Sequence, residues 1–356
     1  MTPVNKSEWT TGVGLMSGTS MDGIDIAVCA FRFTNKWEYQ IIDAVTFPYM
    51  DSVRKLLIEM QTMSGPELIR ADRKLGHYYG EIVSGFLMGM GHDATFIASH
   101  GHTIFHNPND QYTFQAGHGA AIAAETGLPV ICDFRSTDVA LGGQGAPLVP
   151  IGDSLLFDEY DALLNLGGFA NISMQSDKKR IAWDICPVNI VLNHFAQKCG
   201  MDYDTDGKLA ANGNCNADLL KQLNSLPFYQ KPHPKSLGRE WVEDIFLPLV
   251  EQNDHLSTED ILATTAHHAA MQINHAAASA QNVLVTGGGA RNPFLMNLLR
   301  EQLQNKMIIP DETTIDFKEA LVFAFMGLLR ILGEDNTLET ATGARKQVSG
   351  GAMYLP

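Results

Sequence analysis

The sequence predicts an α/β protein made of two domains around a cleft. Apolar strands run into turns of small residues within Gly14–Asp25, Ala162–Gly168 and Asn282–Gly289. The second half of the chain opens with strand, small-residue turn and strand, as the first half does, which indicates an internal duplication of one α/β unit. A chain of 356 residues is also long enough for two domains with separate cores.

The most informative segment is Val13–Val28, where two apolar strand patterns flank a Gly/Ser/Thr turn. Period-two alternation resumes after the turn, so the segment predicts a β-hairpin. A turn of small residues leaves backbone N–H groups able to point at phosphate oxygens. Thr19 and Ser20 add hydroxyl donors. Asp22 and Asp25 are able to hold a cation or to orient a nucleophile.

Two alternatives apply to this hairpin. Gly18–Met21 is similar to the nucleophile segment of subtilisin-like proteases, in which the Asp and His precede the serine. No His precedes Ser20 here and a strand pattern follows, so the protease interpretation is disfavoured. An ordinary hairpin without a ligand is the second alternative, and it is weighed against the other parts of the chain.

Composition and charge disfavour several classes of protein. The formal net charge of −15 argues against a nucleic-acid partner, because such binding depends on neutralising phosphates with Lys and Arg. No segment approaches the ~18 uninterrupted apolar residues that a membrane helix needs. The N-terminus lacks the basic and then apolar layout of a signal peptide, so we expect a cytoplasmic protein. Five cysteines without CxxC spacing are typical of free core cysteines rather than of disulfides or zinc.

The segment Asp138–Pro150 is rich in Gly and Pro and has little periodicity, which indicates a domain junction. We therefore expect an N-terminal α/β domain over residues 1–140 and a C-terminal α/β domain over 141–342. Residues 343–356 are a candidate for completing the first domain, a point that the sequence leaves open. Ser64–Glu67 predicts a helix start with a capping box, Ser257 predicts another, and the apolar run 320–329 predicts a buried helix.

The glycine turns favour a nucleotide ligand, but the two commonest nucleotide-binding motifs are absent. The sequence contains no GxxxxGK[ST] and no GxGxxG opening a βαβ unit. The architecture that uses hairpin turns for phosphate is the two-domain actin/hexokinase-like (ribonuclease H-like) fold with an interdomain cleft. This is the fold of the actin, hexokinase and acetate kinase superfamily.

The run Gly14–Asp25 resembles the signature of the anhydro-N-acetylmuramic acid kinase family, and the resemblance covers essentially the whole chain. The other matching segments are Ser99–Thr103, Asp133–Arg135, Gly142–Pro150, Asn165–Asn171, 234–240 and Thr286–Asn292. The resemblance implies an ATP- and Mg²⁺-dependent enzyme of peptidoglycan recycling and amino-sugar catabolism. It would open 1,6-anhydro-N-acetylmuramic acid with water and phosphorylate O6, giving N-acetylmuramic acid 6-phosphate. The resemblance also implies a homodimer.

The resemblance places the general base, which would take a proton from the attacking water, at Asp184. The family's common form at this loop is Asp-Thr-Gly-Pro-Gly-Asn, of which this chain keeps Asp184, Pro187 and Asn189. Ile185 removes a hydroxyl that would touch phosphate or water, and Val188 removes the freedom of a glycine. The alternative for Asp184 is a plain helix-capping residue.

The resemblance assigns the nucleotide to three glycine turns. The ATP-binding residues are Gly18, Thr19, Ser20, Met21, Asp22, Gly23, Ile24 and Asp25 in the first hairpin, Gly167, Gly168 and Asn171 in the second phosphate turn, and Gly287, Gly288 and Gly289 in the adenosine turn. Magnesium would bridge the β- and γ-phosphates, with Asp22 as the candidate protein ligand.

The predicted substrate-binding residues are His102, Thr103, Arg135 and Glu319. Arg135 suits the lactyl carboxylate, because a guanidinium binds carboxylates bidentately; an interdomain salt bridge is its alternative. His102 would donate a hydrogen bond to the substrate, and Thr103 would contact the sugar. Glu319 would line the nucleotide side of the cleft or merely begin a helix. A zinc site among the nearby histidines is disfavoured, because acidic residues do not lie at ligand spacing.

Two other functions stay open at this stage. One is a sugar or carboxylate kinase on the same scaffold that uses a simple hydroxyl acceptor and no hydrolytic water. The other is a nucleotide-binding regulator without turnover, which the altered loop after Asp184 favours and the retained carboxylate disfavours.

Overall fold

The computed structural model describes residues 4–18, 21–176, 179–233 and 235–356. The strands of these ranges are β1 (Thr10–Ser17), β2 (Gly23–Phe33), β3 (Trp37–Pro48), β4 (Phe96–Asn107), β5 (Tyr112–Ala116), β6 (Val130–Cys132), β7 (Ala162–Leu166), β8 (Phe169–Ser176), β9 (Lys179–Pro187), β10 (Val283–Thr286), β11 (Met307–Ile308) and β12 (Ala352–Tyr354). The helices are α1 (Asp51–Glu59), α2 (Gly65–Met90), α3 (Gly119–Thr126), α4 (Ser136–Ala140), α5 (Pro150–Leu155), α6 (Asn189–Lys198), α7 (Lys208–Asn212), α8 (Ala217–Asn224), α9 (Arg239–Trp241), α10 (Leu247–Glu251), α11 (Thr258–Ala276), α12 (Pro293–Leu303), α13 (Glu312–Leu332) and α14 (Glu339–Thr342).

The chain divides into two compact α/β units, which confirms the predicted fold class at this level. Unit 1 contains the residues up to Phe157 together with Phe317–Pro356, and unit 2 is Asp158–Asp316. The sequence-based boundaries at residues 140 and 342 both lie inside the segments of unit 1. Helix α5 packs within unit 1 because the Asp153 carboxylate pairs with the Lys318 ammonium at 2.7 Å, and both side chains are buried.

The sheet of unit 1 has the order β12-β6-β4-β1-β2-β3, with β5 added alongside β4. Strands β1, β2 and β3 are antiparallel neighbours, whereas β4 runs parallel to β1 and β6 runs parallel to β4. Helix α2 begins as predicted, since the Glu67 carboxylate accepts hydrogen bonds from the Ser64 backbone N–H (3.0 Å) and hydroxyl (2.6 Å).

The two faces of β1 explain its alternating sequence. Val13 and Leu15 join a buried cluster that includes Leu75 and Tyr79 of α2. Gly14 projects the other way, toward α13, where an added Cβ would lie 1.8 Å from the carbonyl oxygen of Ala320. Only a glycine therefore permits this helix to approach the strand, and the buried apolar run 320–329 predicted from the sequence is confirmed.

The sheet of unit 2 repeats the arrangement of unit 1 in the order β11-β10-β7-β8-β9. Strands β7, β8 and β9 are antiparallel, β10 runs parallel to β7, and β11 runs parallel to β10. The same order and directions relate β6-β4-β1-β2-β3, so the topology supports the predicted duplication. Helix α11 begins at its predicted cap, with the Ser257 hydroxyl accepting from the Asp260 N–H at 3.1 Å.

The five cysteines are free thiols, as predicted, but the expectation that they are core residues is wrong for two of them. Cys29 and Cys186 are buried, whereas Cys199 and Cys215 are exposed on the surface of unit 2. Within the described ranges, no helix combines the length and the apolar character that crossing a membrane requires.

Candidate active site

The predicted site residues fall into two sets, one in each unit. Unit 1 holds the β1–β2 turn with His102, Thr103, Arg135 and Glu319, and unit 2 holds Asp184 and the other two glycine turns. Thr19 and Ser20 lie outside the described residues. Gly23 and Ile24 begin β2 and are buried.

The turn between β1 and β2 is tied to its own unit at both ends. The Met21 N–H donates to the Gly18 carbonyl at 3.2 Å, and the Tyr49 N–H donates to the Asp22 carbonyl at 3.1 Å. Met21 adopts a left-handed backbone with φ of +55°. Asp22 is exposed, while Asp25 is half-buried on β2. The exposed carboxylate of Asp22 is thus next to the turn predicted to wrap the phosphates.

His102 is the end of a buried chain of hydrogen bonds. Its Nδ1 lies 2.8 Å from the Ser17 hydroxyl, the Tyr49 hydroxyl donates to that same oxygen at 2.6 Å, and the Tyr79 hydroxyl lies 2.8 Å further on. Burial lowers the pKa of His102 to about 4. The imidazole is therefore neutral at physiological pH. If Tyr49 donates to Ser17, the serine proton is left for Nδ1, and His102 carries its own proton on Nε2.

A β-bulge separates His102 from the neighbouring His100. The β1–β4 register pairs Leu15 with Ser99 but Ser17 with His102, and Gly101 has a φ of +74°. An extra residue of this kind re-aims the side chains that follow it. The two histidines of the His-Gly-His motif consequently have different partners.

His100 contacts Arg135, which was predicted to bind a carboxylate. The Arg135 Nε and Nη2 atoms lie 3.1 Å and 2.8 Å from His100 Nε2, and Nη1 donates to the Gly145 carbonyl at 2.5 Å. The His100 Nδ1–H donates to the Gly101 carbonyl at 2.8 Å, so Nε2 is the acceptor. Burial, together with the Arg135 charge, holds the pKa of His100 well below its usual value.

Glu319 lies in the same region of unit 1 as Arg135. Phe323, one turn further along α13, packs its ring 4.7 Å from that of His100, and residues four apart share a helix face. Burial raises the pKa of Glu319, and the charges of Lys318 and Arg135 oppose this shift. Glu319 is thus close enough to the His100–Arg135 pair for its charge to interact with that of Arg135. Thr103 is bonded elsewhere, since its hydroxyl accepts from the Gln115 amide at 3.4 Å.

In unit 2, Asp184 lies on β9 and is held by the segment that follows residue 234. Its backbone N–H donates to the Lys235 carbonyl at 2.9 Å, and its Oδ2 accepts the Leu237 N–H at 2.8 Å. Burial raises the pKa of Asp184 to about 6, although the Leu237 N–H opposes the shift. The side chain is half-buried and accepts a backbone N–H fifty-three residues later in the chain. This carboxylate is therefore poised to exchange a proton near neutral pH.

Asp184 belongs to a row of polar side chains across the sheet of unit 2. The register pairs Thr286 with Asn165, Asn165 with Asn171, and Asn171 with Asp184. Directly paired residues on neighbouring strands project to the same face, with Cβ atoms about 5 Å apart. Asn171, predicted to bind ATP, is consequently the neighbour of the predicted base.

The Gly167–Gly168 turn joins β7 to β8 and receives the start of α6. The N–H groups of Val188 and Ile190 donate to the Gly168 carbonyl at 2.8 and 3.2 Å, and the Asn189 N–H donates to the Gly167 carbonyl at 3.3 Å. The first N–H groups of α6 are thus used to hold the turn. Gly168 itself is exposed.

The residues that depart from the family pattern pack into the core of unit 2. The side chains of Ile185, Cys186 and Val188 are at most 3% exposed and join the main hydrophobic cluster. The side chains that replace the usual family residues after Asp184 are therefore part of the hydrophobic core of unit 2.

The third glycine turn lies against the second. An added Cβ on Gly287, which has a φ of +86°, would lie 2.3 Å from Asn165 Oδ1, and one on Gly289 would lie 2.8 Å from Leu166 Cβ. Gly288 has no atom within 4 Å of such a position. Two of these glycines are thus required by packing, whereas Gly288 faces open space.

Sequence reasoning missed the residues that support the predicted ones. Ser17, Tyr49 and Tyr79 position His102, and Asn165 completes the polar row beside Asp184. Asn165 carries a usable signal, because it ends an apolar strand just before a glycine pair. The tyrosines carry none, since their partners are distant in sequence.

Comparison with known proteins gives one consistent result. The sequence matches the family described as anhydro-N-acetylmuramic acid kinase over residues 10–356. A relative named anhydro-N-acetylmuramic acid kinase from Paramagnetospirillum magneticum is 36% identical, covering 97% of this chain and 99% of that protein. Relatives of the same name from Aliivibrio fischeri and Haemophilus influenzae are each 35% identical over 96% of this chain, covering 98% and 97% of their own lengths.

Solved structures with a related arrangement are more distant. The activator of the 2-hydroxyisocaproyl-CoA dehydratase from Clostridium difficile with bound ADPNP gives a TM-score of 0.45 at 14% identity, covering 91% of this chain and 96% of that one. A ROK family glucokinase from Streptomyces griseus gives a TM-score of 0.40 at 10% identity, covering 89% of this chain and 98% of that one.

Proposed function

The chain belongs to the anhydro-N-acetylmuramic acid kinase family, and from this premise we propose that it opens 1,6-anhydro-N-acetylmuramic acid with water while phosphorylating O6. The chain is an enzyme, a kinase. Its product would be N-acetylmuramic acid 6-phosphate, formed in peptidoglycan recycling. The single observation that supports the hydrolytic step is the half-buried Asp184 carboxylate, whose pKa is raised to about 6.

In the proposed reaction, Asp184 accepts a proton from a water molecule. The water oxygen bonds to C1 of the sugar as the C1–O6 bond of the anhydro bridge breaks. The O6 oxygen then attacks the γ-phosphorus of ATP, and ADP leaves with the electron pair of the broken P–O bond. A base with a pKa near 6 is deprotonated at neutral pH and still basic enough to take part in this transfer.

The nucleotide is assigned to the exposed glycine surfaces. Gly167 and Gly168 offer a turn in which even an added Cβ would meet its nearest atom at 3.5 Å or more, so phosphate is able to approach the backbone. Gly288 offers similar open space for the adenosine. The β1–β2 turn, with Gly18, Met21, Asp22 and Asp25, supplies a further phosphate contact in this proposal.

Magnesium fits the donor set beside this turn. Among the described residues, no three His, Cys, Asp or Glu side chains form a cage for a metal ion. Mg²⁺ in phosphoryl-transfer sites is commonly held by one or two carboxylates together with phosphates and water. The exposed carboxylate of Asp22 suits that role. When bound, the ion would neutralise charge on the β- and γ-phosphates.

The sugar is assigned to the polar residues of unit 1. A neutral His102 with its proton on Nε2 would donate a hydrogen bond to a sugar oxygen. Arg135 is oriented by His100 and by the Gly145 carbonyl, and its guanidinium would bind the lactyl carboxylate. Thr103 would contact the sugar, and Glu319 would line the nucleotide side of the site. The cytoplasmic location and the homodimer stay predictions from the sequence.

The experiment that tests this proposal is turnover of ATP with 1,6-anhydro-N-acetylmuramic acid in ¹⁸O-water. We expect one labelled oxygen at C1 of a 6-phosphosugar, and loss of the reaction in Asp184→Asn. Phosphorylation of N-acetylmuramic acid without hydrolysis of the anhydro sugar would instead identify a simple kinase. Tight ATP binding without turnover of either sugar would identify a non-catalytic regulator.

A further inference from the structure

Unit 2 contains a cavity that the proposed reaction does not use. Its volume is about 310 Å³, and it lies between the ends of β8 and β9, the C-terminal turns of α11 and residues 229, 231–233 and 235. This volume is at the small end of the range for ligand pockets. The cavity is therefore large enough for one small molecule.

The lining of the cavity is cationic and aromatic. It includes Lys231, Lys235 and His275, and none of the described residues that line it is acidic. The Trp183 ring stacks on the His233 ring at 4.6 Å with an interplanar angle of 21°. In a chain with a net charge of −15, a cavity whose described lining includes two lysines and a histidine is suited to an anion.

Lys235 is oriented rather than neutralised. Its ammonium donates to the Phe228 carbonyl at 3.2 Å and lies 4.6 Å from the centre of the Phe228 ring. Within the described ranges, neither Lys231 nor Lys235 pairs with a carboxylate. Burial lowers the pKa of Lys235, Cys186 opposes this shift, and the charge of the neighbouring Lys231 adds to it.

The other lining groups suit a sugar ring. Gln175 and Gln272 provide amide groups, the second of which already donates to Asn224 Oδ1 at 2.8 Å. Tyr229 and Trp183 are each 9% exposed and provide a small apolar surface. A phosphate group would bind the lysines, hydroxyl or amide groups would bind the glutamines, and ring C–H groups would contact the aromatic side chains. A sugar phosphate carries all three kinds of group. We propose that this cavity binds a hexose-sized sugar phosphate at a second site, distinct from the site proposed for catalysis.

The cavity is connected to Asp184 through backbone contacts. Trp183 and Ile185, which flank that carboxylate in sequence, both line the cavity. Lys235 lines it as well, and its carbonyl accepts the Asp184 N–H. A ligand here would contact the same segment that holds the catalytic carboxylate.

The test measures binding of N-acetylglucosamine 6-phosphate to the full-length protein. Titration calorimetry and tryptophan fluorescence are the two readouts. N-acetylglucosamine and inorganic phosphate are titrated separately. We expect the sugar phosphate to bind at least about 10-fold more tightly than either part, and Lys231→Gln and His275→Gln each to weaken it by about 10-fold, as for loss of a hydrogen bond to a charged group. Lys55→Gln, an exposed lysine of unit 1, is the matched control and should bind normally. In Trp183→Phe the fluorescence change should be lost while the heat of binding persists.

Two results would overturn the proposal. One is unaltered affinity in both Lys231→Gln and His275→Gln. The other is displacement of the probe by a non-hydrolysable ATP analogue with the anhydro sugar, which would place it in the catalytic site. Because binding is measured without turnover, this experiment can be interpreted even if the proposed kinase reaction is wrong. The turnover experiment can equally be interpreted if the cavity binds no sugar phosphate.

Discussion

A fully buried carboxylate in unit 1 and a half-buried one in unit 2 have different electrostatic environments. In unit 1, Asp153 lies 2.7 Å from the Lys318 ammonium, and both side chains are almost fully buried. In unit 2, Asp184 accepts a hydrogen bond from the Leu237 N–H, and burial raises its pKa to about 6. The units share a strand order, so the difference arises from side-chain partners. The Asp153–Lys318 pair stabilises unit 1, whereas Asp184, for which no ion pair is found among the described residues, has a raised pKa and is able to exchange a proton near neutral pH.

The largest expected effect is on turnover in Asp184→Asn. Removing a general base lowers the rate by 10²–10⁴-fold as a rule, and we expect about 10³-fold, measured as kcat for release of ADP with the anhydro sugar. Asp153→Asn, at a carboxylate assigned to the fold, is the comparison variant. Its remaining folded fraction should keep a normal kcat. A normal kcat in Asp184→Asn would break the distinction between the two carboxylates.

The next effect is on stability in Lys318→Met. Removing one partner of a buried ion pair leaves an uncompensated charge, which costs about 3–5 kcal/mol. We expect a loss of that size in the free energy of unfolding, measured by urea denaturation. The exposed pair of Lys55 and Glu59 gives the control, because Lys55→Met should change stability by less than about 0.5 kcal/mol. Equal losses in both variants would remove the contrast between buried and exposed pairs.

Asp184→Asn should at the same time stabilise the protein. The folded pKa of about 6 is above the unfolded value of about 3.9, so the ionised carboxylate disfavours folding at neutral pH. The amide removes this penalty, and we expect a gain of about 1–2 kcal/mol at pH 7–8. As the pH falls from 6 to 4, the wild-type carboxyl becomes protonated in the folded state and the gain should disappear. If the variant were still more stable than the wild type by this amount at pH 4, ionisation of Asp184 would not be the cause of the added stability.

The smallest effect is the acid limb of the pH–rate profile. Since Asp184 acts in its ionised form, kcat should rise with pH through an apparent pKa near 6 and level off above about pH 7. At pH 5 about a tenth of the plateau rate should remain. Measurement of kcat between pH 5 and 8 checks this, with Asp51→Asn as a control at an exposed carboxylate of α1 that has no role in the proposed site. A flat profile down to pH 5 would mean that the base has an ordinary carboxylate pKa.

Several features of the candidate site could be predicted because they depend on local chemistry. Glycines after apolar strands predicted the turns, and Ser64 and Ser257 predicted helix starts from the need to satisfy N–H groups. The position of Asp184 came from a matching motif. Its raised pKa was beyond sequence reasoning, because it depends on burial and on an N–H from Leu237 fifty-three residues later.

The histidines of unit 1 show the same limit. The motif His-Gly-His places His100 and His102 two residues apart, which suggests one shared surface. Because of the bulge at Gly101, His100 instead forms a hydrogen bond with Arg135, and His102 forms one with Ser17. Likewise, nothing local to Lys318 or Asp153 indicates that they meet inside unit 1.

The sequence by itself determined the α/β class, the glycine turns, the helix starts and the family, since each depends on short-range backbone chemistry or on matching motifs. The tertiary structure alone decided which charged groups lie in an ion pair and which have a pKa shifted by burial. Those outcomes depend on burial and on partners from distant parts of the chain. Desolvation and pairing set the charge state of a side chain, and neither is defined until the chain has folded.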